Sequence, residues 1–222
     1  MRRLLAFLAR HPWSIGLSLL STFCFSELAE EVREDELGAF DAPVMAFLAR
    51  ARGTVDAVML ALTYLGEARN MALIAVAVVI ACLVRRRWHA AAFMAVAPGG
   101  AALLNLSLKL LFQRARPDAS LLYLIETPSS FSFPSGHAMG SAGVLFSVVV
   151  LLYALGLPRP YRTIAVGLAL VIGVGIALSR VYFGVHYPSD VLGGQLAALA
   201  WVSAVTGWFY PRLLPGERAA PQ

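Results

Sequence analysis

Long apolar runs alternate with short polar segments along the chain, a pattern typical of proteins that cross a membrane several times. A helix needs about 20 predominantly apolar residues to cross the hydrocarbon core of a bilayer. Six runs approach that length and cover residues 12–28, 67–84, 88–111, 138–156, 163–180 and 190–210. The pattern predicts an all-α, polytopic membrane protein with six transmembrane helices.

The segment that follows the first run is the least regular part of the pattern. Residues 29–66 begin with an acidic, solvated connector and continue with two short apolar stretches, which predict short interfacial helices. Asp41 precedes an Ala-Pro pair and is expected to cap the first interfacial helix. Gly53 is expected to end that helix. The alternative is one long tilted span over 54–84. The interior residues that argue against it are Gly66, Glu67, Arg69 and Asn70.

Composition supports a membrane environment. The 222 residues are 59% hydrophobic and 14% charged, whereas soluble domains carry about 25% charged residues. The length suits a single membrane-embedded domain over 1–222. The net charge of +5 comes without a basic block, which excludes a nucleic-acid partner. Cys24 and Cys82 lie in apolar runs without metal-ligand spacing and are expected to be free thiols.

The arginines indicate how the chain is oriented. With six spans, one side of the membrane receives most of them. They are Arg2, Arg3, Arg10, Arg85, Arg86, Arg87, Arg159, Arg162, Arg212 and Arg218. Because cytoplasmic loops carry an excess of Lys and Arg, that side is the cytoplasm and both termini are inside. Arginines also precede the first run, as in a signal peptide, but no small-residue cleavage site follows, so we expect a retained span.

The outer side then receives 29–66, 112–137 and 181–189, and the first polar cluster there is Lys109–Pro117. Lys109 and Arg116 are two helical turns apart and share a face if the helix persists that far. Snorkelling of basic residues at a helix end is the alternative. Positive charge on an outer end nevertheless runs against the usual distribution of Lys and Arg, which suggests an anion there.

The second cluster is the sequence Pro-Ser-Gly-His directly before an apolar run. Ser135 is a suitable helix cap, and Gly136 and His137 would present free backbone N–H groups at the positive end of the helix. Such a helix start binds anions readily. A capped helix with an interfacial histidine explains the same residues without any ligand.

The third cluster runs from Ser179 to Asp190. Arg180 ends one span, and Pro188 begins the next with Asp190 in its first turn. His186 stands four residues before Asp190, so the carboxylate can accept one imidazole N–H and leave the other nitrogen as a better nucleophile or base. The alternative is an acidic residue that only complements the helix dipole.

The joint presence of the clusters favours chemistry. Ionisable groups near spans are costly, about 3 kcal/mol each at the bilayer centre, and are usually functional. Two histidines, several cations and an aspartate form a site for a tetrahedral anion. The carboxylates are too few for a two-metal phosphatase, and no zinc-ligand pattern is present. The sequence therefore predicts phosphoryl transfer without a metal or other cofactor.

These residues resemble the three-part signature of the type 2 phosphatidic acid phosphatase superfamily. The matching positions are Lys109, Arg116, Pro117, Pro134, Ser135, Gly136, His137, Ser179, Arg180, His186 and Asp190. The resemblance implies that His186 attacks phosphorus, that Asp190 orients it, and that His137 protonates the leaving group. It implies that Lys109, Arg116, Arg180, Ser135 and Gly136 bind the phosphoryl oxygens.

The six-span form is similar to the integral-membrane lipid phosphatases of that superfamily. The resemblance implies hydrolysis of undecaprenyl pyrophosphate, phosphatidylglycerol phosphate, phosphatidate or lipid A phosphates at the extracytoplasmic face of a bacterial inner membrane. Three alternatives stay open: a lipid phosphotransferase of the same fold, a non-enzymatic lipid transporter and a degenerate structural relative. The choice between monophosphate and pyrophosphate is expected to depend on one further cation, for which Arg114 is a candidate.

Overall fold

The computed structural model describes residues 12–126 and 129–213, whose regular elements are helices. The α-helices are α1 (Pro12–Glu34), α2 (Gly38–Ala49), α3 (Asp56–Leu65), α4 (Ala68–Val84), α5 (Trp88–Phe112), α6 (Gly136–Ala154), α7 (Arg159–Tyr182) and α8 (Pro188–Leu213). A short 3₁₀ helix covers Ala119–Leu121. No strand occurs in these two ranges, so the predicted all-α class is confirmed.

The predicted number of membrane spans is confirmed only in part. Helices α5, α6, α7 and α8 are long and apolar enough to cross a bilayer. The pair α3 and α4 meets the same criterion only together and is bent by 54° at its break, which gives up to five spans in the described ranges. The predicted count of six is not confirmed. Serines and then Glu27 interrupt the apolar run of α1, so this helix is less apolar than the four that are long and apolar enough to cross a bilayer.

Two short helices do form within the irregular segment, but the predicted cap is wrong. The N-cap of α2 is Leu37, and Asp41 lies inside the first turn with its side chain buried. Asp41 accepts hydrogen bonds from another part of the chain instead. The acidic connector is also shorter than expected, because α1 continues to Glu34 and ends where Asp35 takes a positive φ of 58°.

The helices pack around α8 and α6. Helix α8 contacts α1, α5 and α6 along its length, and α6 also contacts α7. Helices α5 and α8 approach closely at Gly100, where an added Cβ would lie 2.3 Å from the Trp201 ring. At the end of α5, Phe112 packs against Phe133, which also stacks on Phe25 of α1. This packing brings the end of α5, the start of α6 and the α7–α8 turn to one side of the bundle.

A polar cluster fastens the α2–α3 turn to this side of the bundle. Arg52 donates hydrogen bonds to the carbonyl oxygens of Tyr182 and Leu121 at 3.0 and 2.9 Å. The Asp56 carboxylate accepts from the hydroxyls of Tyr123 and Tyr182. These contacts hold α2 and α3 beside the end of α7.

The predicted orientation rests partly on arginines of the two terminal segments. Arg2, Arg3, Arg10 and Arg218 lie outside the described residues. Cys24 and Cys82 are free thiols, as predicted.

Candidate active site

The predicted site residues come from three separate segments of the chain. Lys109 lies in the last turn of α5, which ends when Gln113 adopts a left-handed conformation. Arg116 therefore belongs to the irregular segment beyond the helix, and the expectation that both share a helix face is wrong. The turn at Gln113 redirects the chain so that Arg116 nevertheless reaches His186.

His186 and Asp190 form the contact that their spacing predicts. The His186 Nδ1 atom lies 3.3 Å from the Asp190 Oδ2 atom, and both side chains are buried. The same oxygen accepts hydrogen bonds from the Ser132 hydroxyl and from the Tyr187 backbone N–H. The carboxylate is therefore fixed from several directions, which fixes the imidazole ring in turn.

Arg116 determines which nitrogen of His186 carries the proton. The Arg116 Nη1 atom lies 3.3 Å from His186 Nε2. A guanidinium group can only donate, so Nε2 accepts and Nδ1 carries the hydrogen directed at Asp190. The lone pair of Nε2 consequently faces a cation. A nucleophilic histidine in a phosphoryl-transfer site requires this tautomer.

Burial keeps His186 neutral in weakly acidic solution. Burial lowers the pKa of His186 to about 4, against the partial compensation of the Asp190 carboxylate. An exposed histidine titrates near ~6.5. Between these values the folded protein holds a neutral imidazole, while the unfolded chain binds a proton.

We therefore expect the His186 imidazole to titrate near pH 4, which ¹⁵N NMR of histidine-labelled protein would measure. The signal is assigned by its loss in His186→Gln. Because the unfolded state binds more protons in the window from about 6.5 to 4, this residue makes the fold less stable as the pH falls through it. A titration midpoint at or above pH 6.5 would contradict the burial argument.

Lys109 and Arg180 bring two further cations to the site. The Lys109 ammonium donates to the carbonyl oxygens of Phe131 and Ser132. The Arg180 Nη1 atom donates to the hydroxyl of Thr63 in α3, whereas its buried Nε has no hydrogen-bond partner among the described residues. Arg180 is thus held at one end of its guanidinium and leaves a donor for a ligand.

Helix α6 begins where the sequence predicted, directly after Ser135. Ser135 is its N-cap, but its buried hydroxyl makes no capping bond and has no partner among the described residues. The Ser135 N–H donates to the Asp190 carbonyl at 3.0 Å, which ties α6 to α8. An added Cβ on Gly136 would lie 3.3 Å from Asn105 Oδ1, so glycine permits a close approach here.

His137 is half-buried beside the break between α3 and α4. A Cβ on Gly66 would lie 3.3 Å from His137 Cδ2 and 2.3 Å from Ile176 Cγ2, so only glycine fits at the break. The side chain interacts electrostatically with Arg180, His186, Arg116 and Lys109. The structure therefore gathers both histidines, the aspartate and the three cations in one place.

Arg114 is committed to a buried network that the sequence did not reveal. Its Nη1 donates to Asp190 Oδ1 and to the Ser189 hydroxyl, both at 2.7 Å, and its Nη2 donates to Asp41 Oδ2 at 3.0 Å. Asp41 also accepts from the N–H of Ser189 at 2.8 Å. Burial opposes the charge of Arg114, but the Asp190 and Asp41 carboxylates outweigh it and raise its pKa. Its availability for a second phosphate, suggested by the sequence, does not agree with this arrangement.

Four residues of the site were missed by the sequence reasoning. The sequence predicts a helix cap at Asp41 and indicates no role for Ser132, Thr63 or Asn105. Only Ser132 carried a usable signal, because it lies in the irregular segment directly before the Pro-Ser-Gly-His sequence. Asp41, Thr63 and Asn105 reach the site only through the packing of the helices that carry them. Within the two described ranges, no group of three or more His, Cys, Asp or Glu residues is placed to hold a metal ion.

Comparison with known proteins relates the chain to membrane phosphatases that act on lipids. The sequence profile of the PAP2 superfamily matches residues 88–213. Phosphatidylglycerophosphatase B from Bacillus subtilis (strain 168) is 34% identical over 157 residues, 69% of this chain and 75% of that protein. Decaprenylphosphoryl-5-phosphoribose phosphatase from Mycobacterium tuberculosis (strain H37Rv) is 37% identical over 122 residues, 54% of this chain and 60% of that protein.

A solved structure shares the fold. The crystal structure of a transmembrane PAP2 type phosphatidylglycerolphosphate phosphatase from Bacillus subtilis superposes with a TM-score of 0.77 at 29% identity, over 86% of this chain and 95% of that one. The fold and the site define a multi-pass bacterial membrane hydrolase that acts on phosphate esters of lipids. The chain belongs to the PAP2 superfamily.

Proposed function

We propose that the protein hydrolyses the phosphomonoester of a diacyl phospholipid, of the phosphatidylglycerol phosphate or phosphatidate class, through a phosphohistidine at His186. The observation that carries the proposal is the orientation of His186. Its Nδ1 contacts Asp190 and its Nε2 faces Arg116, so the nucleophilic lone pair points toward the cations that would bind a phosphate.

In the first step, His186 Nε2 attacks phosphorus and the bond from phosphorus to the lipid oxygen breaks. His137 donates its proton to the departing oxygen, which leaves as the lipid alcohol. The Nδ1 hydrogen stays directed at Asp190, whose carboxylate stabilises the positive imidazole ring that forms. Acid catalysis at the leaving group is typically worth about 10²–10⁴ in rate.

In the second step, water attacks the phosphorus of the phosphohistidine. Neutral His137 removes the proton of the water, the P–N bond breaks, and the electron pair returns to Nε2. Inorganic phosphate leaves and both histidines regain their starting states. The position of His137, within electrostatic reach of His186 but not hydrogen-bonded to it, suits both roles.

Three cations would stabilise the charge on the phosphoryl oxygens. Arg116 and Arg180 offer planar guanidinium donors, which suit two-point contacts with phosphate, and Lys109 acts as a point charge. The Gly136 N–H and the Ser135 hydroxyl, which has no partner in the described part of the chain, add neutral donors at the start of α6. Donors fixed before reaction lower the barrier without the cost of rearrangement.

The commitment of Arg114 favours a monophosphate over a pyrophosphate. Its two ends contact Asp190 and Asp41, which leaves three cations for a single phosphoryl group. The relationship to phosphatidylglycerophosphatase B from Bacillus subtilis supports the same substrate class. Undecaprenyl pyrophosphate and lipid A phosphates are the competing substrates.

The proposal includes the topology inferred from the arginines. Both termini lie in the cytoplasm, the site faces the extracytoplasmic side, and residues 1–222 form one domain around a signature core over 109–190. The packing of α1 against α8 supports a single domain. The reaction requires no metal in this proposal, because the cations of the site supply the positive charge.

The decisive experiment measures phosphate release by the purified protein in excess chelator. The substrates are phosphatidylglycerol phosphate, phosphatidate, undecaprenyl pyrophosphate and lipid A. We expect turnover that survives chelation and is fastest with the two phospholipid monoesters. Preference for the pyrophosphate would overturn the substrate class, and loss of activity with chelator would overturn the metal-free mechanism. Phosphate that appears on a second lipid rather than in solution would indicate a phosphotransferase.

A further inference from the structure

A deep apolar cavity lies between the helices that carry the catalytic groups. Its volume is about 580 Å³, within the range of about 300–1,000 Å³ typical of ligand sites. Residues of α6, α7 and α8 form its walls, and Gln195 contributes a polar side chain. None of the residues assigned to the reaction lines it.

The cavity is aligned with the active site. Helices α6, α7 and α8 carry His137, Arg180 and Asp190 at their ends. The same helices contribute Ala142, Gly173 and Gln195 to the near end of the cavity. At 1.5 Å per residue, these lining residues lie about 8–10 Å below the catalytic side chains. A substrate whose phosphate binds at the helix ends therefore has this cavity directly beneath it.

The cavity is open at the side, and two aromatic rings line its far end. Helices α7 and α8 are joined by the hydrogen bond from Gln195 Nε2 to the Gly173 carbonyl at 3.2 Å, and the cavity extends beyond it. Leu170 and Val174 line it and are 62% and 46% exposed, so it communicates with the surface that faces lipid. Trp13 and Tyr210, in edge-to-face contact at 5.9 Å, line the far end.

We propose that this cavity, bounded by α6, α7 and α8, binds one acyl chain of the phospholipid substrate. The inference rests on the proposed function, which places a phospholipid phosphate at His186. The rise along α6 from Ala142 to Tyr153 is about 16 Å, which is the length of wall that these lining residues provide for a hydrocarbon chain. This length suits an acyl chain, whereas the much longer chain of a polyprenyl lipid exceeds it.

The bound acyl chain contributes to the orientation of the substrate rather than to its affinity. Moving a hydrocarbon chain from the bilayer into an apolar cavity gains little, because lipid tails are as apolar as the cavity wall. A chain held in the cavity fixes the direction from which the phosphate ester enters the site. Correct placement of reacting groups can be worth a factor of about 10² for 1 Å, so the effect appears in kcat/KM.

The test fills the cavity at two depths, with matched controls on the same helix. Gly173→Leu fills the near end, where an added Cβ would lie 3.7 Å from Leu145 Cδ1, an ordinary contact distance. Val166→Trp fills the deep end. Gly167→Leu and Val171→Trp are the controls, since neither residue lines the cavity, Gly167 has open space around it, and Val171 is 72% exposed.

The readout is kcat/KM for a series of diacyl phosphatidates of increasing chain length. We expect Gly173→Leu to lower kcat/KM for all but the shortest chains, by about 10–100-fold. Val166→Trp should lower it only for the longest chains, and the controls should follow the wild type. Each cavity variant has its own expected limit of acyl-chain length. The test therefore still gives a result when one of the two variants fails to fold.

Two results with the phosphatidate series, and one with polyprenyl phosphates, would overturn the inference. One is an equal loss for short and long chains in the cavity variants, and the other is an unchanged chain-length profile in a folded Val166→Trp protein. A loss confined to polyprenyl phosphates would assign the cavity to a different lipid and would equally reject the acyl chain. Failure of the proposed function is distinguishable, because the wild type would then release no phosphate from any phosphatidate.

Discussion

Replacement of His186 by alanine is expected to lower kcat by about 10³-fold or more, because it removes the nucleophile. The fold should be nearly unaffected. Asp190 keeps its contacts with Arg114, Ser132 and the Tyr187 N–H when the imidazole is absent. Phosphate release and Tm, measured on the same preparation, separate a catalytic role from a structural one. A His186→Ala protein with activity near that of the wild type would disprove the phosphohistidine mechanism.

Two further variants make this result specific. His89→Ala is the matched control, because His89 is exposed at the start of α5. His137→Ala should accumulate phosphoenzyme when the substrate has a leaving group that needs no acid, since water attack then lacks its base. The trapped phosphate should be acid-labile and should be absent when His186 is also replaced. Label retained in the double variant would place the phosphoryl group on another residue.

Arg114→Gln is expected to destabilise the fold by about 3–5 kcal/mol, the usual cost of removing one partner from a buried ion pair. The Asp41 and Asp190 side chains are 4% and 0% exposed, so water cannot replace the guanidinium. For a chain of this size the loss corresponds to a drop in Tm of about 10 °C. Thermal unfolding in detergent measures it.

Asp41→Asn tests the same network from its other end. Arg114 keeps Asp190 as a partner in that variant, so the loss should be smaller, about 1–3 kcal/mol. Arg69→Gln is the matched control, because the Arg69 side chain is 79% exposed. Arg114→Gln with the Tm of the wild type would show that the network contributes nothing to stability. Arg114→Lys should behave almost like the glutamine variant, since an ammonium group cannot reach three partners.

The sequence predicted those features that depend on neighbours along the chain. Apolar runs located the helices, and the four-residue spacing of His186 and Asp190 predicted their contact. The start of α6 at Gly136 followed from the cap residue before it. The family signature named the residues that the structure brings together, although their catalytic roles stay predictions.

The features that were missed depend on packing between distant segments. Asp41 and Arg114 are 73 positions apart, and nothing in either local sequence indicates their pairing. The left-handed turn at Gln113 ended α5 before Arg116, and the helical spacing of the two cations gave no warning of it. The sixth span, α1, is not confirmed, because an apolar run interrupted by serines is ambiguous by composition alone.

The support of the active site from α2 and α3 has a consequence for protein engineering. The superfamily profile begins at residue 88, yet Asp41, Thr63 and Gly66 contact the site from outside it. A chimaera that transplants only residues 88–213 would leave Arg114 and Ser189 without the Asp41 carboxylate, and Arg180 without the Thr63 hydroxyl. The smallest transferable catalytic unit therefore starts before α2, and substrate preferences should be exchanged between relatives as this longer piece.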